Sequence, residues 1–189
     1  VSDDGSKDST QQLVKGYNKK NKRVMLLDRS KNLVKGLTAS VVDGIKHAKT
    51  RFFIIIDGDF QHPPEVIGEI ASKLMAGNDV AIGTRRKEST LRWSLARRLM
   101  SKTAIMLGRG RLLLKGIRCR DVVSGFFGSR RNLFLEVFET NSKRFELRGY
   151  KVLFDFLKYV RPNISISEVM YNFNVRERGS SKISKKHVI

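Results

Sequence analysis

Between Phe52 and Ile56 the chain runs through apolar residues without a break, then stops abruptly at Asp57 and Asp59, with only Gly58 between them. A strand covered by helices on both faces has no solvent side, so its sequence is continuously apolar instead of alternating. A run this short, and this rich in β-branched and aromatic residues, therefore predicts a strand buried inside an α/β layer structure. Carboxylates at i and i+2 beyond its end converge on one divalent cation when the backbone turns there, and Gly58 is a residue that turns easily. Such hard oxygen ligands suit Mg2+ or Mn2+, which keep coordination positions open for diphosphate oxygens. Gln61 adds a third oxygen donor, and Pro63-Pro64 start a helix directly afterwards. A D-x-D pair alone fits an acidic turn that binds nothing; the glutamine and the helix start favour the metal.

The surrounding sequence extends the same architecture. Val1 to Asp4 reads as the end of a strand, Gln11 to Lys20 as a helix and Arg23 to Leu27 as a short strand. Val34, Leu37, Val41 and Ile45 recur at helical spacing and predict a helix from Asn32 to Ala48. Val66, Ile67, Ile70 and Leu74 do the same for a helix starting near Pro64, and Asp79 to Gly83 is the next strand. This alternation implies right-handed crossovers and a mostly parallel, doubly wound sheet. Ligands of such sheets sit beyond the carboxyl ends of the strands, where Asp3-Asp4, Asp57-Asp59 and Arg85 all fall.

The second half reads differently. Leu91 to Leu107 is a basic amphipathic helix, with Leu91, Leu95 and Leu99 on one face and Arg92, Arg97, Arg98 and Lys102 elsewhere. That pattern suits a membrane surface and equally a solvated outer helix. Arg109 to Asp121 reads as a basic connector, and Asp121 to Phe127 as a polar and aromatic loop between helical segments. Leu147, Tyr150, Phe154 and Leu157 mark a further helix, and Ile164, Ile166, Tyr171 and Phe173 a late strand.

With 189 residues, 40% of them hydrophobic, the chain is one domain's worth and buries a real core. No run reaches the length of a transmembrane helix, and no signal peptide is visible. The single cysteine, Cys119, excludes an internal disulfide and fits a reducing, cytoplasmic setting. Thirty-eight Lys and Arg against 18 Asp and Glu give a net charge of +20. Such a surface attracts nucleic acid, an anionic membrane surface or phosphorylated substrates. A basic nucleic-acid-binding domain is the reading from another class. It predicts aromatics interleaved with basic residues on one face, whereas the aromatics here occupy core positions and Trp93 is isolated; no nucleic-acid partner is expected. The chain starts without Met at what reads as a strand end and stops in the basic segment Lys182 to Ile189. It reads as one catalytic core, residues 1–189, trimmed at both ends.

Further motifs accompany the D-x-D pair. Asp3-Asp4-Gly5-Ser6 leads into a helix, and acidic side chains at a strand end can bind ribose hydroxyls or a base edge, or simply cap that helix. Gly83-Thr84-Arg85 delivers a guanidinium to the same rim, where it can hold a phosphate bidentately. Ser124-Gly125-Phe126 sits in the polar loop, and Arg176 to Lys182 forms a basic loop suited to closing over phosphates.

In this order the motifs resemble the family-2 glycosyltransferases of the GT-A fold, in particular the polyprenyl-phosphate sugar synthases that include the dolichyl-phosphate mannose synthases. The resemblance rests above all on Asp57-Gly58-Asp59-Phe60-Gln61-His62-Pro63-Pro64-Glu65 and on the pairing of Ser124-Gly125-Phe126 with Gly179-Ser180-Ser181-Lys182. It also draws on Asp3-Asp4-Gly5-Ser6, Gly83-Thr84-Arg85 and Arg97-Arg98-Leu99-Met100-Ser101-Lys102. It implies a mostly parallel Rossmann-like sheet flanked by helices, with the amino-terminal strand missing. Residues 1–86 would form the nucleotide- and metal-binding half and 87–189 the acceptor half. Asp57, Asp59 and Gln61 match metal and diphosphate ligands. Asp3, Asp4, Lys35 and Gly58 join Asp57, Asp59 and Arg85 in nucleotide-sugar binding. Asp59, Arg85, Arg97 and Lys182 are the implied catalytic residues. Arg97, Ser101, Ser124, Gly125, Phe126 and Lys182 match the acceptor site. The implied reaction is inverting transfer of mannose from GDP-mannose to dolichyl or polyprenyl phosphate, with Mg2+ or Mn2+ as cofactor. UDP-glucose is the alternative donor. The implied place is the cytoplasmic face of an anionic membrane, with membrane helices in the parent protein following residue 189. Phe127 stands where many relatives carry a basic residue, and Arg130 or Arg131 is the substitute at hand.

Overall fold

The computed structural model describes residues 1–86 and 95–174, apart from the side chains of 95–98, 100 and 101. The chain divides into two compact units, Val1–Lys49 with Glu146–Tyr150, and Thr50–Phe145 with Lys151–Ile189.

In the first unit, β1 (Ser2–Asp3) pairs in parallel with β2 (Leu27–Asp28), placing Asp3 beside Asp28. Helix α1 (Thr10–Lys20) connects them, and α2 (Leu37–His47) buries Val41, Val42 and Ile45. Helix α2 starts at Leu37 and not at Asn32, because the preceding backbone is committed elsewhere. Val34 O accepts from the Arg29 guanidinium at 2.9 Å, and Gly36 N donates to Asp4 Oδ2 at 2.8 Å. The first-turn amides of α2, which have no partner inside a helix, donate to Gly149 O from Thr38 and to Leu147 O from Ala39. Leu147 and Tyr150 consequently lie outside the helix their spacing suggested.

The second unit contains β3 (Phe52–Ile55), α3 (Val66–Met75), β4 (Val80–Arg85), α4 (Leu95–Leu113), β5 (Phe127–Arg130), α5 (Arg131–Asn141), α6 (Val152–Tyr159) and β6 (Ile166–Tyr171). Its sheet has the order β3-β5-β4-β6. Strands β4 and β6 are parallel, whereas β5 runs antiparallel to β3 and β4, so the expected mostly parallel sheet is mixed. The chain reaches β5 from the carboxyl-end side of its neighbours, with Phe127 beside Ile55 and Ile82, and it runs back between them. Of Arg109 to Asp121, expected as a connector, Arg109 to Leu113 is the last part of α4; Gly108, just before it, is buried against Val122 and Phe154.

The apolar run of β3 meets packing on both faces of the sheet, although β3 is its edge strand among the described residues and only Phe53 of its residues is buried, the others half-buried. Phe52, Ile54 and Ile56 pack with Ile70 and Leu74 of α3 on one face of the sheet. Phe53 faces the other way, edge-on to Phe127 and to Phe134 of α5 at 6.1 and 5.4 Å between centroids. Full burial of such a side chain is worth about 1.5–3 kcal/mol; Phe53 approaches that, while the half-buried Phe52, Ile54 and Ile56 contribute less. Gly128, in the middle of β5, lets the strands approach: a Cβ there would lie 2.7 Å from Phe53 O and 2.9 Å from Leu74 Cδ1. Gly128→Ala is expected to cost about 1–3 kcal/mol by overpacking, read as a lower urea midpoint with unchanged slope. Among the described residues no helix is long and apolar enough to cross a membrane.

Candidate active site

The carboxyl ends of β3, β4 and β6 and the start of β5 share one rim of the second unit's sheet, and the predicted chemistry collects there. Beyond β3 the chain turns through Asp57 to Gln61, with Gln61 N donating to Asp59 Oδ1 at 3.1 Å. The left-handed residue of the turn is Phe60, at φ 59°, and not Gly58, where a Cβ would meet nothing within 4 Å. Asn174, just past β6, clamps the turn: its N donates to Gln61 O at 3.0 Å, and its O accepts from Gln61 Nε2 at 3.3 Å.

Among the described residues, no three His, Cys, Asp or Glu side chains gather into a closed metal cage. What the turn offers is a pair of hard carboxylate donors on an open strand end. That donor set fits Mg2+ or Mn2+ completing its shell with phosphate oxygens and water, and it does not fit a closed structural site.

His62 packs beneath the turn, 4% exposed. Asp57 N donates to His62 Nδ1 at 3.4 Å, which makes Nδ1 the acceptor and assigns the ring proton to Nε2. The Asp57 carboxylate is 3.8 Å from Nδ1, a pair that would be ionic only with the imidazole protonated. Burial, helped by the Arg85 charge and opposed by Asp59 and Asp121, lowers the His62 pKa from 6.5 to about 4, so the ring is neutral at pH 7. The sign for stability follows: the unfolded chain takes up a proton near pH 6.5 that the folded protein refuses until about pH 4. Folding stability is therefore expected to fall as pH drops from about 6.5 to 4, by up to ~3 kcal/mol from this group. Denaturation midpoints across that range, flatter in His62→Phe, are the check.

The loop before β5 lies against this assembly. A Cβ on Gly125 would sit 3.4 Å from Asp57 Oδ2 and 3.6 Å from His62 Cε1, so the missing side chain is what brings the loop against the carboxylate turn. Phe126 stacks on His62 at 5.2 Å and 25°. Ser124 is buried; its Oγ donates to Gly83 O at 2.7 Å and accepts from Phe126 N at 3.2 Å, tying the loop to β4.

Arg85 ends β4. Its Nε donates to Asp121 Oδ2 at 2.8 Å, and its guanidinium lies over Phe173 at 5.7 Å. Burial disfavours the charge of Arg85, but the Asp121 carboxylate more than restores it, and the pKa is raised. Tyr171 lies close by, its phenol pushed up by burial. Among the described residues, Asp121 Oδ1 and the Tyr171 hydroxyl are buried without a hydrogen-bond partner.

In the first unit, Asp3 is the hub of its own loop. Its Oδ2 accepts from Gly5 N at 3.0 Å, Ser6 N at 2.9 Å and Gln11 Nε2 at 2.8 Å, and its Oδ1 from the Ser6 hydroxyl. Burial alone would raise its pKa; the bonds from Ser6, Gln11 and Gly5 outweigh that and lower it to about 2. Asp4 pairs with the buried Arg29, which also donates to Asp43 Oδ2 at 2.7 Å. Lys35 is exposed, its Nζ beside Gly5.

Residues 1–138 match the family described as glycosyl transferase family 2. The chain belongs to that family. Over 194 residues it is 37% identical to a dolichol-phosphate mannosyltransferase of Pyrococcus furiosus, covering 100% of this chain and 51% of that protein. It therefore spans about half the length of that relative. It is 30% identical to a polyprenol monophosphomannose synthase of Mycolicibacterium smegmatis, covering 100% of this chain and 71% of the relative. The fold resembles glucosyl-3-phosphoglycerate synthase from Mycobacterium tuberculosis in complex with phosphoglyceric acid: TM-score 0.59, 18% identity, 94% of this chain and 60% of that one. The same enzyme with Mn2+, uridine diphosphate and glucosyl-3-phosphoglycerate gives a TM-score of 0.58 at 17% identity, over 93% and 59%. The fold is thus the GT-A type.

For this family-2 glycosyltransferase the structure brings Asp57, Asp59, Gln61, Arg85, Ser124, Gly125 and Phe126 to one rim. Arg97 and Ser101 belong to α4, but their side chains, and all of Lys182 with the Gly179-Ser180-Ser181 segment, lie outside the described residues. Arg130 does not replace the basic residue expected after Phe126. It sits at the opposite end of β5, its Nη2 donating to Gly77 O at 2.8 Å and Nη1 3.6 Å from Asp79. Arg131 N donates to Arg51 O at that same far end. Sequence reading missed Asp121, His62 and the aromatic walls Tyr171 and Phe173, because it assigned them to loop and strand without a partner.

Proposed function

We propose that the chain is the catalytic part of an enzyme that transfers mannose from GDP-mannose to a polyprenyl phosphate of the dolichyl type, inverting the anomeric centre to give a β-linked lipid-phosphate sugar. The observation that carries this reading is the Asp57–Asp59 turn seated against Gly125, with the half-buried, Asp121-held Arg85 on the same rim. The names of the relatives from Pyrococcus furiosus and Mycolicibacterium smegmatis support the lipid-phosphate acceptor and the mannose.

The chemistry needs little from a general base. A lipid phosphate is ionised at neutral pH, and its oxygen attacks the anomeric carbon in line as the bond to the nucleoside diphosphate breaks. What opposes the reaction is the repulsion between two anions, so the protein's task is to position them and offset their charge. Asp57 and Asp59, with Gln61, would hold the Mg2+ or Mn2+, which when bound neutralises charge on the leaving diphosphate. Arg85 offers a fixed cation whose direction is set by Asp121 and Phe173. Arg97, Ser101 and Lys182 are the proposed acceptor-side partners, with Ser124 holding its loop in place. Asp3, Asp4, Gly58 and Lys35 are the proposed nucleotide-side set.

Helix α4 supports a lipid acceptor and a peripheral position at a membrane, for which the cytoplasmic face is the proposed side. A groove of ≈ 490 Å³ is lined by Leu99, Ala104, Leu107, Val123 and Phe154. Met106, Leu107 and Leu114 stand exposed beside Arg109 and Arg111, an apolar and basic pairing suited to an anionic membrane surface. Titration calorimetry of GDP-mannose and of UDP-glucose, each with Mn2+ and then with EDTA, tests the reading. Metal-dependent binding of GDP-mannose alone is expected. Preference for UDP-glucose would move the assignment to glucosyl transfer, and binding of neither donor while short RNA binds with steep salt dependence would overturn it.

A further inference from the structure

The Asp57–Asp59 turn carries two like charges within three residues and has a left-handed non-glycine residue at Phe60, so on both counts it resists its own geometry. Contacts within the protein itself hold it in this shape. One clamp is Asn174; further contacts converge on His62, a residue that no step of the proposed chemistry uses.

We infer that His62 is the positioning residue of this site, its imidazole locking the carboxylate turn onto the Gly125–Phe126 loop and the end of β6. Three elements meet on the one ring. The turn contributes the Asp57 amide, which donates to Nδ1 at 3.4 Å. The loop contributes Phe126, stacked at 5.2 Å, and the backbone of Gly125, where a Cβ would reach within 3.6 Å of Cε1. Strand β6 and the residues after it contribute Tyr171 and Phe173, edge-on at 5.8 and 5.6 Å. A residue that only filled this space would not need a nitrogen, and one that only accepted the amide proton would not need a ring; His62 uses both. The carboxylates are thereby aimed before any ligand arrives, and a disturbance of the loop is transmitted to them.

The inference rests on the reading of Asp57 and Asp59 as metal ligands, and its test separates the two. In metal-free protein, exchange of the Asp57 amide measured by NMR is expected to speed up about tenfold or more in His62→Phe, which keeps the ring stack and removes the acceptor. In His62→Asn, whose Oδ1 takes the place of Nδ1, exchange stays within a few fold of the parent. Mn2+ affinity, read by electron paramagnetic resonance, is expected to weaken about 10- to 100-fold in His62→Phe and to recover in large part in His62→Asn. Unchanged amide exchange in His62→Phe, or His62→Asn no better than His62→Phe, overturns the clamp whatever the metal does. Parent protein that binds no more Mn2+ than Asp59→Ala overturns the metal reading, while the exchange data still judge His62. If His62→Phe does not fold, His62→Asn decides alone: native near-ultraviolet dichroism with fast Asp57 exchange counts against the inference.

Discussion

If the proposed reaction is the one this chain carries out, Asp59→Ala is expected to lower mannosyl transfer by about 10³-fold and to abolish metal-dependent donor binding. Charge builds on the leaving diphosphate as the glycosidic bond breaks, and removing one preorganised electrostatic element from such a site costs about 10²–10³ in kcat. Here the loss is compounded, since only Asp57 and the neutral Gln61 would be left to hold the cation. Asp59 also accepts Gln61 N at 3.1 Å, so alanine loosens the turn as well as removing the ligand. Asp59→Asn separates these effects, because its amide oxygen keeps the acceptor and gives up the charge. The asparagine variant is expected to keep the parent's thermal midpoint while losing nearly as much activity as alanine. Steady-state kinetics at several Mn2+ concentrations decide it: excess metal should rescue part of the asparagine defect. Activity within a few fold of the parent in both variants would remove Asp59 from the chemistry.

What could be seen in advance followed from patterns that are local. A strand buried on both faces is continuously apolar, so β3 and the carboxylates beyond it stood out, and helix α3 followed from Val66, Ile67, Ile70 and Leu74. Strand β5 was hidden because its sequence, Phe127-Gly128-Ser129-Arg130, carries turn-forming residues inside. Gly128 and Ser129 are there for long-range reasons: Gly128 for the approach of Phe53 O, and Ser129 Oγ to donate to Asp79 O at 2.8 Å. The same blindness hid Asp121, whose partner Arg85 lies 36 residues away. Gly58 illustrates the converse error. A glycine between two aspartates invites a conformational explanation, yet the left-handed backbone falls on Phe60. In the first unit, Asp3 and Asp4 were legible as an acidic strand end. That their oxygens accept bonds from Gly5, Ser6, Gln11, Arg29 and Gly36 was not.

Asp121→Ala is expected to be the most destabilising single change at the rim, by about 3–5 kcal/mol, because it removes the buried carboxylate that accepts from the largely buried guanidinium of Arg85. Arg85 and Asp121 side chains are 17% and 5% exposed, so water replaces little of what is lost. A buried ion pair is seldom the most stable filling for its volume, and Arg85→Met with Asp121→Leu should recover much of the stability of Asp121→Ala. It should recover none of the activity, since both the cation and the residue that aims it are gone. Asp121→Asn falls between: its one amide oxygen can still accept from Arg85 Nε, so most of the fold is kept, while Arg85 is held less firmly. Its expected signature is a raised KM for the anionic substrates with a modest change in the urea midpoint. If the apolar double variant proved less stable than the parent, the pair would be a stabilising element of the core. A double variant as stable as the parent or more so would mean that Arg85 is kept charged at this strand end at the expense of stability, as the proposed phosphate-binding role would require.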